Sequence, residues 1–234
     1  MKCGDILQKV TWLGQAGLLF ELNGCRVMID PYLSDSVKEI NPNNYRRQPV
    51  DKRFFDVKPD VMIFTHNHLD HFDPETVKRF LKKEKPMTVL APFSVWGEAR
   101  KYGGKHNYVQ FDRHTEWTEK GVTFRAVKAT HSDTFAIGVI IRTADTTHYV
   151  TGDTLYSERV FASLPSEAPD VLFLPINGRG NNMNSTDAAR FAQRIAAKHT
   201  VPIHFGMFDE MTGKELICEN RIIPRIYEEI VIPQ

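Results

Sequence analysis

Val61-Met62-Ile63-Phe64-Thr65-His66-Asn67-His68-Leu69-Asp70-His71-Phe72-Asp73-Pro74-Glu75 is the stretch on which the reading of this chain turns. Four apolar residues form a short buried strand, and Asp73-Pro74-Glu75 reads as a helix start, with Asp as N-cap, Pro in the first turn and Glu at the positive end of the dipole. Between them lie four side chains of metal-ligand type. In extended chain, residues i and i+2 point the same way, so His66 and His68 can both reach one ion. The chain must then turn toward the helix, and that turn can swing Asp70 and His71 onto a neighbouring ion. A polar loop holding histidines by chance is the plain alternative. Nine histidines in 234 residues make so dense a cluster improbable on that account.

Upstream, the runs Ile6 to Leu13, Leu18 to Leu22 and Arg26 to Ile29 predict three strands, with Asn23-Gly24 as a hairpin turn. Residues 31 to 58 carry Pro, Asn, Ser, Asp and Arg without periodicity and predict a long loop with one short helix over a pocket. Downstream, the helix at Asp73 is expected to run to about Lys83, and a second spans Pro92 to Lys101. Strands are expected at Thr88 to Ala91, Tyr108 to Phe111, Val122 to Ala129, Phe135 to Arg142, His148 to Thr151, Val171 to Pro175 and Val201 to Ile203. Helices are expected near Glu158 to Ala162 and from Ala188 to Lys198, the latter opened by Ser185-Thr186-Asp187 and apolar on one face. Each half of the chain has strands first and helices after. No low-complexity linker divides the halves, so one domain over 1–234 and a layered α/β sandwich are predicted.

Composition suits a globular chain with a core: 41% of residues are hydrophobic, 25% are charged, and the formal net charge is +1. That balance speaks against a nucleic-acid partner. Arg46-Arg47 with Lys52-Arg53 is a candidate basic patch, though a solvated loop is the commoner meaning of such residues. Cys3, Cys25 and Cys218 are too few and too scattered for a disulfide framework. Without a signal-peptide pattern or a long apolar run, a cytoplasmic protein with no membrane partner is expected. A small-molecule substrate is the expected partner, and self-association stays open.

Three further residues sit where apolar runs stop: His131, Asp153 and His204. In layered α/β folds, ligands and metals gather at strand ends. Alone, each histidine is more often a hydrogen-bonded structural residue; beside the His66–His71 cluster that balance reverses. The full ordered set resembles the metallo-β-lactamase superfamily, and the resemblance runs over nearly the whole chain. It implies a four-layered αββα sandwich of α/β class with its site between the two sheets. It also implies that His66, His68 and His131 hold one ion, that Asp70, His71 and His204 hold a second, and that Asp153 bridges them. Asp30 would be a supporting residue. Trp12-Leu13-Gly14-Gln15-Ala16-Gly17, Ile29-Asp30-Pro31 and Leu174-Pro175-Ile176-Asn177-Gly178-Arg179-Gly180 further resemble the L-ascorbate-6-phosphate lactonase-like group of metal-dependent hydrolases.

Two adjacent cations lower the pKa of a bound water to roughly 7, from 15.7 in bulk, which makes a nucleophile at neutral pH. Asp70 is the candidate catalytic group for taking or passing a proton. Imidazole and carboxylate donors suit two divalent ions, with Zn and Mn both fitting. Where oxygen-reducing di-iron relatives carry Glu, this chain has His68, which favours hydrolysis. Asn177, Arg179 and Asn182 are candidate substrate contacts, with Arg179 suited to a phosphate or carboxylate; a glycine-rich turn whose Asn residues satisfy the backbone is equally natural. Phe208 and Asp209 are placed at the pocket mouth. His106, His114, His148 and His199 lack ligand spacing and are expected to be structural. The expected activity is hydrolysis of a small lactone or related ester, phosphorylated or not. The alternatives are a phosphodiesterase or nuclease with the same two-ion site, and a non-catalytic metal-binding protein.

Overall fold

The computed structural model describes residues 8–82 and 85–233. The chain opens as an antiparallel meander, β1 (Lys9–Gly14), β2 (Gly17–Leu22) and β3 (Cys25–Ile29). To β3 are added, all parallel, β4 (Val61–Ile63), β5 (Thr88–Ala91) and β6 (Asn107–Gln110), which completes a six-stranded sheet in the order β1 to β6. The second half repeats the plan. β7 (Glu116–Glu119), β8 (Val122–Lys128), β9 (Ile137–Arg142) and β10 (Thr147–Val150) run antiparallel, and β11 (Val171–Pro175) and β12 (His199–Ile203) then join in parallel.

Alternation along the strands builds the layers. In β2, Leu18, Phe20 and Leu22 enter the core shared by the two sheets, while Leu19 faces the other way. In β3 and β4, Val27, Ile29, Val61 and Ile63 enter that core, and Met28 and Met62 face a second cluster. That cluster is closed by α2 (Pro74–Leu81), through Val77, Phe80 and Leu81, and by α3 (Phe93–Arg100), through Val95 and Ala99. On the far side, α4 (Glu158–Phe161) and α5 (Ser185–Ile195) cover the second sheet, with Phe191 packed against Tyr149 and Phe161 on its outer face. Sheets buried on both faces explain why β4 and β11 read as unbroken apolar runs. The result is the αββα sandwich.

Several boundaries differ from expectation for local reasons. Asp73 caps α2 by accepting from the amides of Glu75 and Thr76, and Pro74 occupies the first turn. The helix ends at Leu81; Lys83, like Ile6, Leu7 and Cys3, lies outside the described residues. Asn184, one residue before the expected start, caps α5 through its bond from Asp187 N. That helix stops at Ile195 rather than Lys198 because Ala196 turns left-handed (φ 56°) to feed β12. β7 was not anticipated: Glu-Trp-Thr-Glu is a half-exposed edge strand without an apolar run. Within 31–58 sit α1 (Ser36–Ile40) and a 3-10 turn at Lys52–Asp56.

The suspected basic patch is partly engaged within the chain, with Arg46 and Arg47 half-buried and Lys52 and Arg53 exposed. The Arg46 guanidinium donates to Tyr32 O and Tyr227 Oη, and Arg53 pairs with Asp51. A second cationic depression, about 510 Å³ at the opposite end of the strands, is also mostly neutralised. There Lys9 pairs with Glu229, Arg26 with Glu21, and Lys85 and Lys120 share Asp60. Cys25 and Cys218 are free thiols. Among the described residues, no helix is long and apolar enough to cross a membrane.

Candidate metal centre

Six strand ends meet at one edge of the sandwich. Asp30 follows β3, the His66–His71 cluster follows β4, His131 follows β8, Asp153 follows β10, Asn177 follows β11 and His204 follows β12. Left-handed residues stop three of these strands abruptly: Asp30 (φ 42°), Gly152 (φ 61°) and His204 (φ 59°). Non-glycine residues pay for that conformation only where the surroundings enforce it, and such positions gather at functional sites. The two sheets are stitched there by Ile137 N donating to Thr65 O at 3.0 Å. After His68 the chain folds into the expected turn, with His71 N and Phe72 N both bonded to His68 O.

Two donor groups stand side by side. In the first, the ligand atoms of His66, His68 and His131 lie within 4.8 Å of one another, and His131 Nε2 is 3.1 Å from His68 Nδ1. In the second, Asp70, His71 and His204 converge equally closely, with His204 Nε2 at 3.3 Å from both Asp70 Oδ2 and His71 Nε2. Asp153 lies between the groups. Its Oδ1 is 3.4 Å from His71 Nε2, and its Oδ2 is 3.2 Å from His204 Nε2 and 4.0 Å from His131 Nε2. His66 Nε2 is buried and has no hydrogen-bond partner among the described residues. A buried, unpartnered nitrogen among converging imidazoles and carboxylates is what a divalent cation satisfies, so the residues fit a metal centre. A third grouping, Asp30 with His66 and His71, meets the same distance test. Asp30, however, already accepts from Thr65 N at 2.8 Å, from Thr65 Oγ1 and from His71 Nδ1 at 2.8 Å. It braces His71 with Nε2 turned inward, as a support does.

The electrostatics match. Burial, with the neighbouring His71 adding to it, lowers the His66 pKa well below its ordinary value, and burial also lowers that of His131. Burial disfavours charge on His71 too, but Asp153, Asp30 and Asp70 outweigh it and raise its pKa well above the usual range. His204 follows the same contest: burial loses to Asp153 and Asp70, and the pKa reaches about 9. Burial would raise Asp70 and Asp153, yet the neighbouring His71 and His204 hold both well below the usual carboxylate range. Without metal, protons therefore occupy the second donor group, and a cation that enters there must displace them.

A pocket of about 190 Å³ opens on this group. Phe208 and Asp209 line it as anticipated, and Val37 and Asn44 show that the 31–58 segment forms one wall. Arg179 is exposed at the rim and has no ion-pair partner among the described residues. Asn177 and Asn182, expected as substrate contacts, line the pocket and also reach His204 and Asp153: Asn177 Nδ2 is 3.0 Å from His204 Nδ1, and Asn182 Nδ2 donates to Asp153 Oδ2 at 2.7 Å. Sequence reasoning assigned no role to Gln15, whose Nε2 donates to Asp70 Oδ2 at 2.8 Å while its carbonyl accepts from His204 N. The two glycines flanking Gln15 and Ala16 were the available signal, since they mark a tight turn at a sheet end. Ser132 was missed as well; its Oγ lies 3.0 Å from His68 Nε2. His106, His148 and His199 bond away from the centre, to Leu81 O, near Thr146 Oγ1, and to Pro233 O.

Known proteins share this arrangement of chain. A family model described as a beta-lactamase superfamily domain matches residues 9–204. A UPF0173 metal-dependent hydrolase of Exiguobacterium sp. is 32% identical, over 85% of this chain and 86% of its own length. One of Bacillus thuringiensis is 29% identical, over 86% of each. Among solved structures, a possible metal-dependent hydrolase from Veillonella parvula superposes with a TM-score of 0.75 at 19% identity, over 97% of this chain and 100% of that one. An isothiocyanate hydrolase from Delia radicum gut bacteria gives 0.74 at 20% identity with the same coverage. These structures speak for the fold, and with the family model and the relatives they lead to one conclusion: the chain belongs to the beta-lactamase superfamily.

Proposed function

We propose that the protein is a metal-dependent hydrolase of small, anionic lactones or related esters, working with two divalent ions, Zn or Mn. The observation that carries the reading is Asp153, whose two oxygens reach from one donor group to the other. The names of the curated relatives support hydrolysis, and the segments 12–17 and 174–180 support an L-ascorbate-6-phosphate lactonase-like activity. His66, His68 and His131 would hold one cation and Asp70, His71 and His204 the other, with Asp153 common to both. Cations held there would supply a water activated at neutral pH and a positive charge beside the scissile carbonyl.

The rest is done by the chain's own residues. Asp70 borders the pocket and is partly exposed, which suits it to take the proton released on attack. Gln15 Nε2 holds one Asp70 oxygen and so sets the carboxylate's orientation. Arg179 at the rim can grip a phosphate or carboxylate with two parallel hydrogen bonds. The small pocket, walled by Val37, Asn44 and Phe208, limits the substrate to a compact molecule. The test is an activity screen of Zn- and Mn-reconstituted protein across lactones, phosphorylated lactones, phosphodiesters and isothiocyanates. Turnover of lactones above the other classes is expected. Preference for phosphodiesters, with steeply salt-dependent binding to RNA or DNA, would overturn the reading in favour of a nuclease.

A further inference from the structure

One loop touches three of the candidate ligands, each from a different strand end. It joins β11 to α5. The Asn177 amide faces His204 Nδ1 at 3.0 Å, the Asn181 carbonyl lies 3.2 Å from His131 Nδ1, and the Asn182 amide donates to Asp153 at 2.7 Å. The loop is held in shape independently of these contacts. Gly178 N bonds Met183 O, Asn177 bridges Asn184, and Met183 N bonds Thr154 O. Ile176 and Met183 are fully buried and anchor it. At Gly178 (φ +64°) a Cβ would stand 2.9 Å from that of Asn184, so the closure needs glycine there.

Hydrogen-bond polarity then constrains each partner. A carbonyl only accepts, so His131 Nδ1 must carry the hydrogen that faces Asn181 O. That leaves His131 Nε2 as the bare nitrogen, and Nε2 is the atom near His68 and Asp153. In His204 it is again Nε2 that faces Asp70 and Asp153. With Nε2 given to a cation, Nδ1 keeps the ring's hydrogen and needs an acceptor. Asn177 Oδ1 is the amide's one acceptor; it is buried and has no partner among the described residues. A half-turn of the amide leaves its shape unchanged and brings Oδ1 onto Nδ1–H. Asp153, an acceptor, takes the opposite polarity from Asn182 Nδ2.

We propose that residues 177–184 form a polarity-matched clamp on the metal centre, in which Asn177 acts as acceptor to His204, the Asn181 carbonyl as acceptor to His131, and Asn182 as donor to Asp153. Asn177 and Asn182 are positioning residues: one holds the hydrogen on His204 Nδ1 so that Nε2 is the nitrogen given up to a cation, and the other fixes the orientation of Asp153. The proposal rests on the reading of these donors as metal ligands.

The test is Zn2+ affinity, measured by chelator competition on the unaltered protein and on Asn177→Leu, Asn177→Asp and Asn182→Leu, with thermal unfolding of each. Loss of a partner behind a metal ligand lowers affinity by about 10–100-fold. That loss is expected for Asn177→Leu and Asn182→Leu. Asn177→Asp, which keeps the shape and can only accept, should retain affinity within a few-fold or improve it. Asn177→Asp losing affinity as Asn177→Leu does would show that the amide donates, and would overturn the proposal. Leucine variants that bind Zn2+ as tightly as the unaltered protein would overturn it too. A purely structural role would lower the melting temperature of both Asn177 variants without separating their affinities. Histidine nitrogen NMR supplies a readout independent of folding yield: Nδ1–H is expected on His131 with or without Zn2+, and an Nε2–H tautomer there would refute the clamp. Failure of the unaltered protein to bind Zn2+ or Mn2+ would instead refute the hydrolase reading, with the His131 tautomer still testing the clamp.

Discussion

Replacing Asp30 separates the brace from the ligands it supports. Its carboxylate is 1% exposed and accepts from Thr65 N, Thr65 Oγ1 and His71 Nδ1. In Asp30→Ala the Thr65 hydroxyl can turn to His66 Nδ1, 3.0 Å away, but Thr65 N and His71 Nδ1 are left buried and unpaired. Hydrogen bonds to a charged group are worth about 1.5–3 kcal/mol each, so the two losses amount to about 3–6 kcal/mol. Net stabilities are of order 5–15 kcal/mol, which makes this a large fraction of the whole. For a chain of this size it corresponds to a fall in melting temperature of about 6–24 °C. Alanine also disfavours the left-handed backbone at this position (φ 42°), whereas asparagine tolerates it. Asp30→Asn therefore keeps the backbone and removes the charge, and should lose roughly half as much stability by the same bond count. Both variants should bind Zn2+ about 10–100-fold more weakly, because His71 is no longer held with Nε2 inward. Thermal unfolding with chelator present reads the first effect, and chelator competition reads the second. If Asp30→Ala melted within 2 °C of the unaltered protein and bound Zn2+ equally well, the brace would be refuted.

Three further outcomes follow from other parts of the molecule. His148 is buried between Phe20 and Phe173, and burial lowers its pKa to about 4. The unfolded chain takes up that proton first as pH falls below about 6.5, so stability is lost between there and pH 4, by about 3 kcal/mol in full. Urea unfolding at pH 7.5 and 4.5 should show His148→Leu losing less stability on acidification than the unaltered protein; equal losses would show that this residue does not set the acid limb. Gly152→Ala should be destabilised by more than about 1 kcal/mol, since the new Cβ would stand 2.6 Å from Ile137 O at a φ of +61° beside Asp153. A melting temperature equal to that of the unaltered protein would contradict this. Arg179→Ala should raise KM for an anionic substrate about tenfold or more while kcat and Zn content hold, because the side chain reaches the pocket and no metal-site donor; unchanged KM would remove Arg179 from substrate binding.

The metal cluster was legible because its geometry is local. An i, i+2 pair on a strand end points one way whatever the rest of the chain does, and the Asp73 cap with Pro74 fixed where the following helix begins. The apolar runs of β4 and β11 were legible because strands buried on both faces leave no polar residue to interrupt them. β7 escaped because an edge strand needs only backbone pairing with β8, which no side chain in Glu116–Glu119 announces. The end of α5 escaped because Ala196 takes a left-handed turn that its own residue type does not favour.

The sequence by itself therefore determined which residues stand at strand ends and which of them are metal-ligand types, His66, His68, Asp70, His71, His131, Asp153 and His204. Only the tertiary structure decided what stands behind them. Asn177, Asn182 and Gln15 are ordinary polar residues in glycine-rich turns, and each acquires its role from a partner 27, 29 and 55 positions away. Periodicity and spacing report on contacts within a turn or along a strand. They carry no record of which loops the stacking of two sheets brings within hydrogen-bond reach, so the contacts of Asn177 with His204 and of Asn182 with Asp153 exist only once the sheets pack.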